Sequence, residues 1–354
     1  MTDSTIQVGI VGGAGYSGGE LLRLLLGHPR ARVAWVSSRA DRNLEAVHRN
    51  LLGAGLRFVR EEEGGACDVV FLCTPSRESM TRAPLYLARG AKVVDIGSDF
   101  RLKDRAQFER VYKAEHVCWE LVQEAPYGAT ELHREAIRRA RLVANPGCFA
   151  YTAILSLAPL VKERLIELDK VVVDGLSGSS GAGAEPSVPT HHSEIGNSVF
   201  PYNVVDHRHT YEIEQELTAV AGAPVAVHFT PYYCPFPRGI LAACHGFLTR
   251  RVSRDDLLAL YQACYRSEPF VRVLAFEKDA KASWQYLPYP SVATVAGSNF
   301  VHLGLDVDER RGRAVVFGAV DNLGKGAASS AIQNMNCMLG LPEDAGIAGM
   351  GLHP

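Results

Sequence analysis

The chain has 354 residues, 47% of them hydrophobic, and a net charge of −2 from 37 basic and 39 acidic residues. That length favours two domains over one, and the near balance of charge gives no reason to expect nucleic acid or an anionic membrane as partner. Eight cysteines at 67, 73, 118, 148, 234, 244, 264 and 337 form no C-x-x-C pair, no apolar run approaches the ~18 residues of a membrane span, and the polar N-terminus lacks a signal-peptide pattern, so reduced thiols in a cytoplasm are expected.

Residues 6 to 147 alternate strand and helix signals. Ile6 to Val11 reads as a short strand and Ser17 to Gly27 as a helix stopped by Gly27-His28-Pro29. Strands follow at Val33 to Val36, Asp68 to Cys73, Lys92 to Ile96 and Arg141 to Ala144. Strands separated by helices predict a mostly parallel α/β sheet with helices on both faces. A helix over Phe149 to Leu160 comes next. Strand-like runs then lie at Lys170 to Leu176, Val225 to Thr230, Gly239 to Leu248, Val292 to Ala296, Phe300 to Val307 and Arg313 to Ala319. Few helices separate them, which predicts a mixed or antiparallel sheet. Gly326 to Leu339 reads as a last helix packing back on the first domain. The domain assignment is therefore 1–147 with 321–354, and 148–320.

Gly13-Ala14-Gly15-Tyr16-Ser17-Gly18 fits G-x-G-x-x-G between a predicted strand and a predicted helix, the context in which that motif binds a dinucleotide. Gly13 makes the turn, Gly15 admits the pyrophosphate, Gly18 lets helix and strand pack, and the helix start with Tyr16 and Ser17 meets the phosphates. An NAD site usually carries a carboxylate ~20 residues on. Here that place reads Val36-Ser37-Ser38-Arg39, two hydroxyls and a guanidinium suited to a 2′-phosphate, so NADP is preferred over NAD.

Cys148 follows Asn145-Pro146-Gly147 and opens the helix. A thiol there meets unpaired N–H groups and the positive end of the helix dipole, which favour thiolate and can hold an oxyanion. A nicotinamide site plus a thiolate points to an acyl-thioenzyme that accepts or produces hydride. Ser177 to Gly183, a Gly/Ser loop, offers hydroxyls for substrate or phosphate. His207-Arg208-His209-Thr210 offers the acid/base, and His191-His192 a pair lining a substrate pocket. Arg101 and Arg238 are candidates to grip phosphate or carboxylate. No Cys/His set has the spacing of a zinc site, so no metal is expected.

These segments resemble the N-acetyl-gamma-glutamyl-phosphate reductase family nearly end to end. Gly13 to Leu21 looks like its N-terminal loop, and Gly97-Ser98-Asp99-Phe100-Arg101-Leu102 is similar to its Ser-Ala-Asp-Phe-Arg-Leu stretch. Tyr127-Gly128 with Glu131-Leu132, Asn145-Pro146-Gly147-Cys148, Ser177 to Gly183, His207 to Thr210 and Asp321-Asn322-Leu323-Gly324-Lys325-Gly326-Ala327 match its further motifs. The resemblance implies a Rossmann domain, an inserted α+β domain of mixed sheet, and a last helix returning to the first, as in aspartate-semialdehyde dehydrogenases. It implies NADPH, a homo-oligomer (a dimer or tetramer built through the second domain) and reduction of an acyl phosphate to a semialdehyde in arginine biosynthesis. Carried onto this chain, Cys148 is the nucleophile and His207 or His209 the acid/base. Ser38, Arg39, Ser179, Gly181 and Asn322 go to the cofactor with the Gly13–Gly18 loop, and Arg101, Asn145, Ser177, His191, His192 and Arg238 to the substrate.

The family's His-Leu-x-Pro-Met-x-Arg-Gly stretch reads here as His228 to Gly239 with a longer middle, and Thr190-His191-His192 is similar to the branch that reduces a glutamyl or 2-aminoadipyl phosphate held on a small carrier protein. The carrier-bound substrate is therefore the alternative. An NADP-sensing protein without catalysis is a more distant one.

Overall fold

The computed structural model describes residues 5–39, 43–276 and 287–353. They divide into two compact units, Met1–Pro146 with Ala327–Gly349, and Gly147–Gly326 with Met350–Pro354.

The first unit alternates β1 (Ile6–Val11), α1 (Tyr16–Leu25), β2 (Ala31–Ser37), the single turn α2 (Leu44–Val47), β3 (Phe58–Val59), β4 (Val69–Leu72), α3 (Ser79–Ala88), β5 (Lys92–Asp95), α4 (Arg105–Tyr112), α5 (Trp119–Glu124), α6 (Thr130–Arg139) and β6 (Leu142–Ala144). The six strands pair in parallel in the order β3-β2-β1-β4-β5-β6. Val8, Ile10, the whole of β4, Val93 and Val94 are buried, the uninterrupted apolar runs that a parallel sheet covered by helices needs.

The second unit opens with α7 (Cys148–Lys162), followed by β7 (Val171–Gly178), the turn α8 (His192–Ile195), β8 (Phe200–Pro201), α9 (Arg208–Ala221), β9 (Val227–Cys234), β10 (Ile240–Phe247), α10 (Arg254–Tyr265), β11 (Val271–Val273), the turn α11 (Val292–Val295), β12 (Val301–Asp308) and β13 (Arg313–Val320). Its seven-stranded sheet runs β11-β12-β13-β10-β7-β9-β8. The pairs β7–β9 and β11–β12 are parallel and the others antiparallel. Residues of β10 alternate between buried and half-exposed, so one face carries α7 while Leu241, Ala243 and His245 look outward. From Phe149 to Val161 α7 is buried throughout, as a helix apolar on all sides must be. It approaches the sheet closely at Gly175, where a Cβ would stand 2.6 Å from the Phe149 ring.

The last helix, α12 (Ser329–Met338), belongs to the first unit and packs on α1, α6 and β5.

Two expectations need correction. Val292 to Ala296 is not a strand: its β-branched residues suggested one, yet they close a single helical turn. The segments 321–326 and 350–354 fall in the second unit, not the first. The Asp321 carboxylate accepts from Arg238 and from the Gly297 N–H, and the Leu352 N–H reaches the Ala296 carbonyl at 2.8 Å. Among the described residues no helix is long and apolar enough to cross a membrane.

Candidate active site

In the first unit, the loop between β1 and α1 is built from backbone. The left-handed residue of its turn is Gly12 (φ 79°), one place before Gly13. Gly13 is required by contact instead: a Cβ there would stand 2.2 Å from Val36. A Cβ on Gly18 would stand 2.6 Å from the Gly13 Cα, so helix and loop touch as the motif demands. A Cβ on Gly15 would meet nothing within 4 Å, and no side chain caps α1. An open cradle with uncapped N–H groups fits a pyrophosphate. His48, unnoticed in the sequence, supports the loop, its buried Nε2 lying 2.8 Å from the Gly13 carbonyl. Arg39 is exposed at the end of β2 and ion-paired with Glu78.

Two expected substrate residues serve the first unit's structure. Asn145 is fully buried; its amide donates to the Ala327 carbonyl (3.0 Å) and its oxygen accepts from Ser330 (3.2 Å) and Asn334 (3.0 Å). Arg101 is buried too. It donates to the Ile96 carbonyl and faces Asp95, a carboxyl that burial and then Asp99 push well above its usual range while Arg101 pulls it back. Each side chain thus meets a buried polar group that would otherwise be costly to leave unpaired.

In the second unit, Cys148 is the first helical residue of α7, half-buried, with no side-chain cap on the helix. Gly326 lies so close that a Cβ on it would meet the Cys148 Cβ at 2.8 Å. The Gly147 N–H donates to the fully buried Glu212 carboxylate at 3.0 Å, and the other Glu212 oxygen lies 3.9 Å from His209 Nε2. One carboxylate thus ties the turn before Cys148 to a histidine. Glu212 was missed in the sequence; the signal is its i+3 spacing from His209 on a face of α9 that also buries Ile213 and Glu216.

His207 caps α9, its Nδ1 accepting from the His209 N–H at 3.2 Å. Its ring is wedged against Phe149, Tyr202, His209 and Phe229. Burial, then the Arg208 charge, pushes its pKa down to about 3.

Around the Gly/Ser loop, Ser177 is buried and donates to the Gly178 carbonyl, while Ser179 to Ala182 forms a tight turn. Asn322 holds that turn, donating to Ser180 Oγ at 2.9 Å and accepting from the Gly239 N–H at 2.7 Å. The Arg238 Nε donates to both oxygens of the buried Asp321 carboxylate, at 2.8 and 2.6 Å. Asp321 also accepts from the Leu323 and Gly324 N–H groups, so Arg238 is anchored beside the loop. His191 and His192 stand exposed at α8 and make no ring contact or hydrogen bond with the residues around Cys148. Among the described residues no group of three or more metal-ligating side chains converges.

The model of the semialdehyde dehydrogenase NAD-binding domain matches residues 7–140, and that of the semialdehyde dehydrogenase dimerisation domain residues 148–322. The chain is 43% identical to an N-acetyl-gamma-glutamyl-phosphate reductase of Pelotomaculum thermopropionicum, over 99% of each chain. It is 41% identical to a putative [LysW]-L-2-aminoadipate/[LysW]-L-glutamate phosphate reductase of Ignicoccus hospitalis, over 97% of this chain and 98% of that one. Aspartate semialdehyde dehydrogenase II of Vibrio cholerae shares the fold, with a TM-score of 0.70 at 18% identity over 95% of this chain and 98% of that one.

Proposed function

Because the chain belongs to the N-acetyl-gamma-glutamyl-phosphate reductase family, we propose that it reduces N-acetyl-γ-glutamyl phosphate to N-acetylglutamate semialdehyde through a thioester on Cys148. The observation that carries the reading is the placement of Cys148 at the uncapped start of α7, with its turn bonded to Glu212 and Glu212 beside His209.

The Cys148 sulfur attacks the acyl carbon, the C–O bond to phosphate breaks, and inorganic phosphate leaves. The N–H groups at the start of α7 face the oxygen that becomes negative. NADPH, when bound, supplies the hydride that turns thioester into thiohemiacetal. The C–S bond then breaks, releasing the aldehyde as the thiohemiacetal hydroxyl gives up its proton. We assign the proton transfers to His209. The Glu212 carboxylate stabilises the charge its ring acquires, whereas His207 is held neutral by burial and has its Nδ1 engaged as a cap. Gly13, Gly15, Tyr16, Ser17 and Gly18 are assigned to the cofactor phosphates, and Ser38 and Arg39 to a 2′-phosphate. Activity with NADPH against NADH tests that preference, which requires Arg39 to exchange Glu78 for the phosphate. Ser177, Ser179, Gly181 and Asn322 line the loop assigned to cofactor and leaving phosphate, with Arg238 at its edge. A homo-oligomer built through the outward face of the second unit's sheet fits the dimerisation-domain match; a monomer in sedimentation counts against it.

With N-acetylglutamate semialdehyde, NADP and phosphate in the reverse direction, Cys148→Ser is expected to lose at least ~10⁴-fold in turnover. Near-full activity would sink the covalent route. The Ignicoccus relative supports a second reading, the same chemistry on an acyl phosphate carried by a small acidic protein. Turnover only with carrier-bound substrate would establish it.

A further inference from the structure

Next to His207, whose ring meets Phe149 at the start of α7, the second unit carries a cation that neither the fold nor the steps above use. Arg208 is exposed, and among the described residues no carboxylate lies within salt-bridge distance of it. The acid nearest in sequence, Asp206, accepts the Tyr211 hydroxyl. Tyr202 meets the ring of His207, the residue before Arg208, at 5.7 Å, and Tyr233 packs against Tyr202. Those two rings stack with centroids 4.0 Å apart and planes 8° from parallel. Backbone holds them there: β8 pairs with β9, aligning Phe200 with Tyr233, and the Tyr202 N–H donates to the Pro231 carbonyl at 3.1 Å. Left-handed Asn203 (φ 42°) and Asp206 (φ 63°) then turn the chain into α9. Burial raises both phenols' pKa, so they keep their protons; the two hydroxyls are hydrogen-bonded to each other, which leaves one proton of the pair for a ligand.

We propose that Arg208, with the hydroxyls of Tyr202 and Tyr233, receives the free carboxylate at the far end of the acyl group whose carbonyl is joined to Cys148. This deepens the functional reading above and rests on it. One guanidinium with one neutral donor matches a monoanion; a phosphate dianion calls for more positive charge. The carboxylate also stays with the acyl group through thioester and aldehyde, so a fixed cation holds it at every step. Of the other two candidate arginines, Arg238 is held by the Asp321 carboxylate and Arg101 bonds the Ile96 carbonyl. Tyr233 comes from the His228 to Gly239 stretch, where this chain departs from the family pattern, which makes the pair specificity-determining.

The test is reverse-direction kinetics with two aldehydes, N-acetylglutamate semialdehyde and 4-acetamidobutanal, which lacks the carboxylate. Arg208→Gln is expected to raise KM for the first roughly 10- to 100-fold, leave KM for phosphate unchanged, and cost nothing further with the second. Tyr233→Phe is expected to show the same dependence on the carboxylate at about 3- to 10-fold, and it carries the comparison should Arg208→Gln lose structure. An equal loss with both aldehydes, no loss, or a rise confined to the phosphate KM overturns the subsite. Wild-type protein inert with the semialdehyde, NADP and phosphate overturns the functional reading itself.

Discussion

The two units present their candidate ligand groups in different ways. In the first, the atoms that face open space are backbone: the cradle at Gly15 and the uncapped N–H groups of α1. In the second the candidate groups are side chains, half-buried Cys148, buried His209 and exposed Arg208, among buried Glu212, Phe149 and the Tyr202–Tyr233 stack. A backbone cradle tolerates any change that keeps its space clear. A side-chain site fails with the loss of one functional group. The division suits the chemistry, because holding a pyrophosphate needs many fixed donors, while acyl transfer needs one nucleophile and one proton carrier.

The largest expected effect that sharpens this contrast is at His209. His209→Asn is expected to lower kcat by ~10²- to 10⁴-fold with NADPH affinity unchanged. A fluorescence titration of NADPH beside the steady-state assay checks it, and equal losses in both would erase the distinction. Next is Gly15. Its backbone (φ −76°, ψ 169°) accepts any residue and its surroundings are empty. Gly15→Val is therefore expected to leave thermal stability within about 0.5 kcal/mol yet weaken NADPH binding at least ~10-fold. Unchanged binding would mean that the cradle holds nothing.

The smallest effect is in pH dependence, where the units differ in sign. Asp95 has a folded pKa above its unfolded value of 3.8. Its contribution is full below that value and is lost as pH rises through the raised one. His207 has a folded pKa near 3 against 6.5 unfolded, so its contribution is present above 6.5 and is lost as pH falls toward 3. Hydrogen exchange followed by peptide is expected to show the first unit losing protection on the alkaline side and the second on the acid side. Parallel loss in both units would contradict the assignment.

Much of this was legible in the sequence because it depends on local chemistry. A Pro-Gly turn before an apolar run announces the Cys148 helix, and three spaced glycines announce the dinucleotide loop. What was not legible depends on distant packing. Gly12, not Gly13, takes the left-handed turn. Val292 to Val295 has strand-forming residues but forms a helical turn. Asn145 and Arg101 are polar groups in recognisable motifs, and only the fold shows which buried groups they bond. Glu212 and Arg208 lay in plain view within His207 to Leu217, and only the packing of α9 separates the buried carboxylate from the exposed guanidinium.

The proposed reaction turns on a covalent acyl group on Cys148. Acid quench of the enzyme with acyl phosphate, before NADPH is added, followed by peptide mass spectrometry, tests it most directly. The acyl mass is expected on the peptide containing Cys148, and it is expected to disappear on adding NADPH. Turnover with that peptide unmodified at every quench time, or with the acyl group on another cysteine, would contradict it.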